Sequence, residues 1–200
     1  MTLRSAFERL APIPDDVWAV FEPAWEPVEF AKGVRITQAG EHEPYLYFVL
    51  DGVQRMFFPH PDGREIVLGF SYAGDFSGVF DSFRTNEPAL STLQALADSQ
   101  LLRISKADFN AALDEHRCLE RWLLTFTERI FFGRLKREVH LLTMSADERY
   151  LRLLTQSPHL IQLVPQKDIA SYLGMTPETL SRVRRRMGSL RSRGTWSSGT

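Results

Sequence analysis

Apolar and polar positions change their spacing along this chain, and each change marks a different kind of element. From about Phe30 to Ile104 the apolar residues come in short runs divided by turn residues. Tyr45–Leu50 (YLYFVL) closes at Asp51-Gly52, a pair favoured in tight hairpins. Gln54–Phe58 follows, then a turn at Pro59–Gly63 (PHPDG), a strand at Ile66–Ser71 and a turn at Gly74-Asp75. Leu90–Leu96 and Gln100–Ile104 read as two more strands. Many short strands with regular turns predict a small antiparallel barrel or roll. Ser5–Leu10 and Asp15–Ala19 read as short helices in front of it.

From Ser105 the spacing becomes helical. Ser105 is a suitable N-cap for a helix over Lys106–Asp114. A long helix then spans about Cys118–Thr143, with no proline and one glycine. Leu119, Leu123, Phe126 and Ile130 form one apolar stripe, and Leu124, Phe131, Leu135 and Leu142 a second. A helix apolar on two sides must bury both. One side can pack on the roll, and the other calls for a partner. A matching helix from a second copy is the simplest partner, and the contact assigned to it is Leu119, Leu123, Phe126 and Ile130. The alternative is a central helix buried within a monomer. Ser145 or Asp147 caps a further helix, Glu148–Thr155, which leads to Pro158.

Val164–Met187 carries the clearest chemistry. Ile169, Ala170 and Leu173 recur at helical spacing, Gly174 interrupts, and Leu180 and Val183 resume. That layout predicts a helix-turn-helix, whose second helix enters the DNA major groove. Thr176 is a good N-cap and Pro177 suits the first helical position. Glu178, Ser181 and Arg182 then share one face. Glu accepts from the cytosine amino group and Arg bonds guanine O6 and N7, each good pair contributing about 1–3 kcal/mol of discrimination. Lys167, Thr176, Thr179, Arg184, Arg185 and Arg186 are the candidates for phosphate contact. The plainer alternative is a surface ion pair and a helix-dipole cluster.

Charge distribution supports the DNA reading more than net charge does. The 200 residues sum to −1, yet Val164–Thr200 carries seven Lys/Arg against two acids, leaving about −6 on the rest. A basic end on an acidic body is the footprint of a DNA-binding domain joined to something else. No apolar run approaches the roughly 20 residues that span a bilayer, and a cytoplasmic protein without membrane contact is expected. Cys118 is the sole cysteine and the five histidines do not cluster at ligand spacings, so no metal site and no cofactor are expected.

A roll, a long helix and a C-terminal helix-turn-helix, in that order, resemble the Crp/Fnr family of bacterial transcription regulators. The likeness covers roughly residues 15–187. Gly40–Gly52 (GEHEPYLYFVLDG), Tyr72–Gly78 (YAGDFSG) and, most specifically, Asp168–Arg182 (DIASYLGMTPETLSR) carry it. Glu178, Ser181 and Arg182 look like the base-reading motif of the Fnr-type branch. The resemblance implies a homodimer on a palindromic promoter site of double-stranded DNA, with RNA polymerase as a possible further partner. In cyclic-nucleotide-binding relatives a Glu holds the ribose and an Arg neutralises the phosphate. Here the first position falls on Val79 within Gly78-Val79-Phe80, and the second near Ala89-Leu90. The nearest arginine, Arg84, is expected in a loop. Cyclic AMP in the usual mode is therefore not expected, and a single cysteine excludes a cysteine-held iron–sulfur cluster. A degenerate pocket lined by Phe70, Phe76, Gly78, Val79, Phe80, Ala89 and Leu90 is either filled or open to an effector of unknown identity.

The expected class is α+β: a β-roll with short N-terminal helices over residues 1–114, a dimerisation helix over 115–144, a helix-turn-helix over 145–187, and a flexible basic tail over 188–200. Arg191 and Arg193 in that tail are further candidates for phosphate, and no β-hairpin wing is expected after the recognition helix. Two other readings stay open. One is a small-molecule sensor that signals through a protein partner, its helix-turn-helix vestigial. The other is an enzyme on a cupin-like roll, for which His42 and Glu43 are poor metal-ligand signals; the leading expectation is a protein that is not an enzyme.

Overall fold

A computed structural model describes residues 1–192, with side chains through Gly188. It divides into two compact units, Met1–Gly133 and a second that begins at Arg134. The first opens with α1 (Leu3–Glu8), capped by Thr2 and Ser5 in a reciprocal box, and α2 (Asp15–Phe21). The strands follow as β1 (Glu26–Phe30), β2 (Arg35–Thr37), β3 (Tyr45–Asp51), β4 (Val53–Pro59), β5 (Glu65–Tyr72) and β6 (Phe76–Ser77). Then come α3 (Phe80–Thr85), β7 (Thr92–Ala95), β8 (Ser99–Ser105), α4 (Lys106–Glu115) and α5 (Arg117–Thr143). Ser105 caps α4 as expected, accepting from the Asp108 N–H at 3.0 Å.

Eight strands form two antiparallel four-stranded sheets, ordered β1-β8-β3-β6 and β2-β7-β4-β5. The turn at Pro59–Gly63 does make a hairpin, pairing β4 with β5. The turn at Asp51-Gly52 does not: β3 and β4 lie in different sheets. Gly52 has φ +95, and a Cβ there would lie 2.3 Å from Ser99 Oγ, so the chain crosses between sheets where no side chain fits. Several elements of this unit escape the apolar pattern, among them β1, β2, β6 and α3. Strand β1 starts at a charged residue, and α3 is a six-residue helix with no side-chain cap, so Arg84 lies in a helical turn rather than a loop.

Strand β3 explains its own unbroken apolar run. Leu46 and Phe48 face an aromatic core shared with the helices, while Tyr47 and Val49 face the interior of the roll. A strand buried on both sides has no polar face to alternate with. The aromatic core centres on Phe7 and Trp122. Their rings stack at 4.2 Å, Trp122 stacks on Phe126 at 4.9 Å, and Phe76 meets both Phe7 and Trp122 edge-on.

This packing corrects the assignment of stripes on α5. Leu119 is buried in the aromatic core, and Leu123 and Phe126 pack against it. They hold α5 on its own roll, Leu119 fully buried and Leu123 and Phe126 half-buried, while Ile130 is half-buried outside that cluster. The opposite stripe is the exposed one: Leu124 61%, Phe131 61%, Leu135 47% and Leu142 79%.

In the second unit the end of α5 is followed by α6 (Ala146–Gln156), α7 (Leu160–Leu163), α8 (Gln166–Tyr172) and α9 (Pro177–Ser192). Ser145 is the cap of α6, exchanging hydrogen bonds with Glu148 in a capping box. The long helix is not a unit of its own, because the boundary falls inside it. Helix α9 also continues past Met187 through Gly188 to Ser192, so the expected tail does not begin at 188. The rest of that tail, including Arg193, lies outside the described residues.

Trp122→Ala removes the ring on which the aromatic core closes. The expected loss is about 3–5 kcal/mol in urea unfolding, whereas Val20→Ala on the exposed side of α2 should stay within about 0.5 kcal/mol.

Candidate DNA interface and the interior of the roll

The recognition face starts with a well-defined turn. Gly174 has φ +65, a left-handed conformation that a glycine adopts at little cost. The Met175 N–H donates back to the Ala170 carbonyl at 3.0 Å, ending α8. Thr176 Oγ1 then accepts from the Thr179 N–H at 3.2 Å, and Pro177 takes the first position of α9. Leu180 and Val183 are buried with Ile169, Ala170 and Leu173. Three to four residues per turn then leave Glu178, Ser181 and Arg182 exposed on the other side.

The electrostatics of this face suit base reading. The Glu178 carboxyl is held below the usual range by its own backbone N–H and by the Thr176 hydroxyl, with Arg182 adding to the effect. It is thus an ionised acceptor at neutral pH. Arg182 Nη2 donates to Thr179 Oγ1 at 3.1 Å. Thr179, expected at phosphate, here orients the guanidinium of its neighbour. Lys167 and Arg185 are exposed, and Arg184 is half-buried. Arg186 departs from expectation: it is ion-paired with Asp147 at the start of α6, which ties α9 to α6 and raises the arginine's pKa. The pair is solvent-exposed, with the Arg186 side chain 55% accessible.

The expected pocket residues do not converge. Phe76 and Phe80 belong to the aromatic core, where both meet Phe126 edge-on. Phe70 is paired with Arg55 and alternates with Ser71, whose hydroxyl bonds Gln54 inside the roll, so Phe70 lies on the outer face of β5. Leu90 is 70% exposed. Only Val79 and Ala89 reach the interior, buried with Tyr47, Val49, Leu93 and Leu101. Gly78, at φ +132, turns the chain into α3 beside the Tyr45 carbonyl.

Glu43, named from the sequence only as a poor metal-ligand signal beside His42, is a buried carboxyl at the edge of this interior. It is 2% exposed. Its carboxylate accepts from Thr37 Oγ1 at 2.5 Å and from the N–H groups of Tyr45 and Val79, each at 3.2 Å. Its own N–H donates to Ser82 Oγ at 3.0 Å. The side chain therefore occupies the one N–H that Val79 offers at the entry to α3. A phosphate brought to that donor would face a carboxylate, and Ala89 supplies no cation to offset it. Burial pushes the Glu43 carboxyl up from its ordinary value, against the pull of its three hydrogen bonds. Nothing in the motif GEHEP signals this, because burial of Glu43 arises from strands distant in sequence.

Residues 27–116 match the cyclic nucleotide-binding domain family. Over 173 residues the chain is 31% identical to the nitrogen fixation regulation protein FixK of Bradyrhizobium diazoefficiens, an alignment that covers 81% of this chain and 71% of that protein. The chain belongs to the Crp/Fnr family of transcription regulators. It is likewise 28% identical to FixK of Azorhizobium caulinodans, over 78% of this chain and 66% of that one. It thus spans about two thirds of the length of these relatives. Two solved structures share the fold. FixK2 from Bradyrhizobium japonicum has a TM-score of 0.73 at 22% identity, covering 88% of this chain and 89% of its own. A putative Crp/Fnr-family regulator from Eubacterium rectale has a TM-score of 0.70 at 16% identity, with 94% and 88% covered. Family membership makes this chain a DNA-binding transcription regulator, and regulators of the family act as dimers.

Glu43 generates a pH prediction. Its folded pKa lies above the unfolded one, so the folded state binds the extra proton between the two values. The associated stability is fully present below the unfolded pKa and is lost as pH rises through the folded pKa. Glu43→Gln is uncharged throughout. In urea unfolding from about pH 4 to about pH 8, its stability relative to the parent protein should rise with pH. A difference that stays flat across the range would count against this account.

Proposed function

We propose that this regulator reads a palindromic DNA site as a homodimer, without control by cyclic nucleotides. The observation that carries the proposal is the exposed face of Glu178, Ser181 and Arg182 at the capped start of α9. Glu178 accepts from a base amino group and Arg182 donates to a guanine edge, while Lys167, Thr176, Arg184 and Arg185 meet phosphate. Thr179 and Arg186 support the reading face from within the protein. The dimer forms along the exposed stripe of α5, Leu124, Phe131, Leu135 and Leu142, flanked by Phe132 and Val139, both also exposed. An apolar face of this length on one helix is what a paired helix buries. Independence from cyclic nucleotides is supported by Glu43 at the Val79 N–H and by the apolar Ala89. A chromosomal target implies that the protein works in the cytoplasm.

Selection from a randomised duplex library tests the reading. Arg182→Ala should relax preference at one base position, whereas Arg185→Ala should weaken all sequences alike and lower the salt slope by about 1. Added cyclic AMP should change neither. Uniform affinity for all sequences, untouched by Arg182→Ala, sinks the proposal. Leu135→Glu places a charge in the stripe and should give a monomer in sedimentation, with palindrome binding lost.

A further inference from the structure

Three helices of the second unit meet at the end of α5, and two arginines join them. Arg137, half-buried on α5, donates from Nη2 to the Tyr172 carbonyl at 2.9 Å. Its guanidinium also lies 4.8 Å from the centre of the Tyr172 ring. Tyr172 is the last residue of α8, so its carbonyl is among those a helix leaves without an internal partner. One turn further along α5, Leu141 touches the turn of the helix-turn-helix: a Cβ on Gly174 would lie 3.0 Å from Leu141 Cδ2. Arg149 of α6 completes the joint, donating from Nη1 to the carbonyls of Leu141 at 3.2 Å and Met144 at 2.7 Å.

We infer that Arg137 is a positioning residue for DNA reading: it sets the direction in which the helix-turn-helix leaves α5. The inference rests on the dimeric, palindrome-reading function proposed above. Helices α8 and α9 are packed through Ile169, Ala170, Leu173, Leu180 and Val183, so they move as one piece. Leu135, Val139 and Leu142 of the proposed dimer stripe lie on the same stretch of α5 as Arg137. The separation of two recognition helices in a dimer is therefore governed by how α8 is fastened to α5. Arginine suits this fastening because one planar guanidinium stacks on the ring and donates to the carbonyl together. A lysine ammonium reproduces the charge but not the paired geometry.

The test separates positioning from stability. The parent protein first selects its palindrome from a randomised duplex library. Arg137→Gln is then measured on that palindrome, on an isolated half-site, and on palindromes with base pairs inserted or removed between half-sites. The expected result is a loss of about tenfold or more on the palindrome, half-site affinity held within about twofold, and a flattened preference for spacing. Arg137→Lys should fall between. Tyr172→Leu, which keeps the carbonyl and removes the ring, should shift the spacing preference in the same direction by less. Equal losses on palindrome and half-site, or an unchanged spacing preference, overturn the inference. A parent protein that selects no palindrome overturns the dimeric reading and this inference with it; failure of Arg137 alone leaves the parent's selection intact.

Discussion

The stacking of Phe7 on Trp122 is the contact on which the first unit depends. It joins the N-terminal helix to the long helix across the outer face of the roll, and Trp18, Phe21, Trp25, Phe76, Phe109 and Phe126 each contact one ring or the other. Aromatic side chains bury large areas and prefer stacked or edge-on geometry, so such a cluster determines position as well as stability. Its consequence is directional. With Trp122, Leu119, Leu123 and Phe126 turned to the roll, the opposite stripe of α5 is turned outward.

That direction links the two roles of α5. Its inner side builds the first unit, and its last turns carry Arg137 and Leu141 in the second. A single helix thus contributes to the packing of the roll and to the joint with α8. The recognition helix, by contrast, is specified locally. Thr176 and Pro177 set where it begins, Gly174 sets how the chain reaches it, and exposure of Glu178, Ser181 and Arg182 follows from burying Leu180 and Val183.

In the interior of the roll a side chain of the protein itself meets the N–H at the entry to α3. Two antiparallel sheets and the glycine turns are retained. The N–H at the entry to α3 is satisfied from within, by the carboxylate of Glu43, and small apolar side chains fill the adjoining space. A buried carboxylate is costly to desolvate, and three hydrogen bonds offset that cost. The result is a roll with a buried, hydrogen-bonded carboxyl group in its interior.

Local patterns determined much of this protein from sequence alone. Strands β3, β4, β5, β7 and β8, the cap at Ser105, the long helix and the helix-turn-helix were legible, and Ser145 was one of two expected caps. Each rests on spacing, turn chemistry or capping within a few residues. The shared exposed face of Glu178, Ser181 and Arg182 was legible for the same reason, since it follows from spacing within one helix. What only the tertiary structure decided involves residues far apart in the chain. It placed β3 and β4 in different sheets, chose which stripe of α5 packs on the roll, drew Arg186 to Asp147, scattered the expected pocket and buried Glu43. Two stripes of similar apolar content are equivalent in sequence. They become different only when one meets a complementary aromatic surface, and that surface is assembled from helices and strands distributed across the whole first unit.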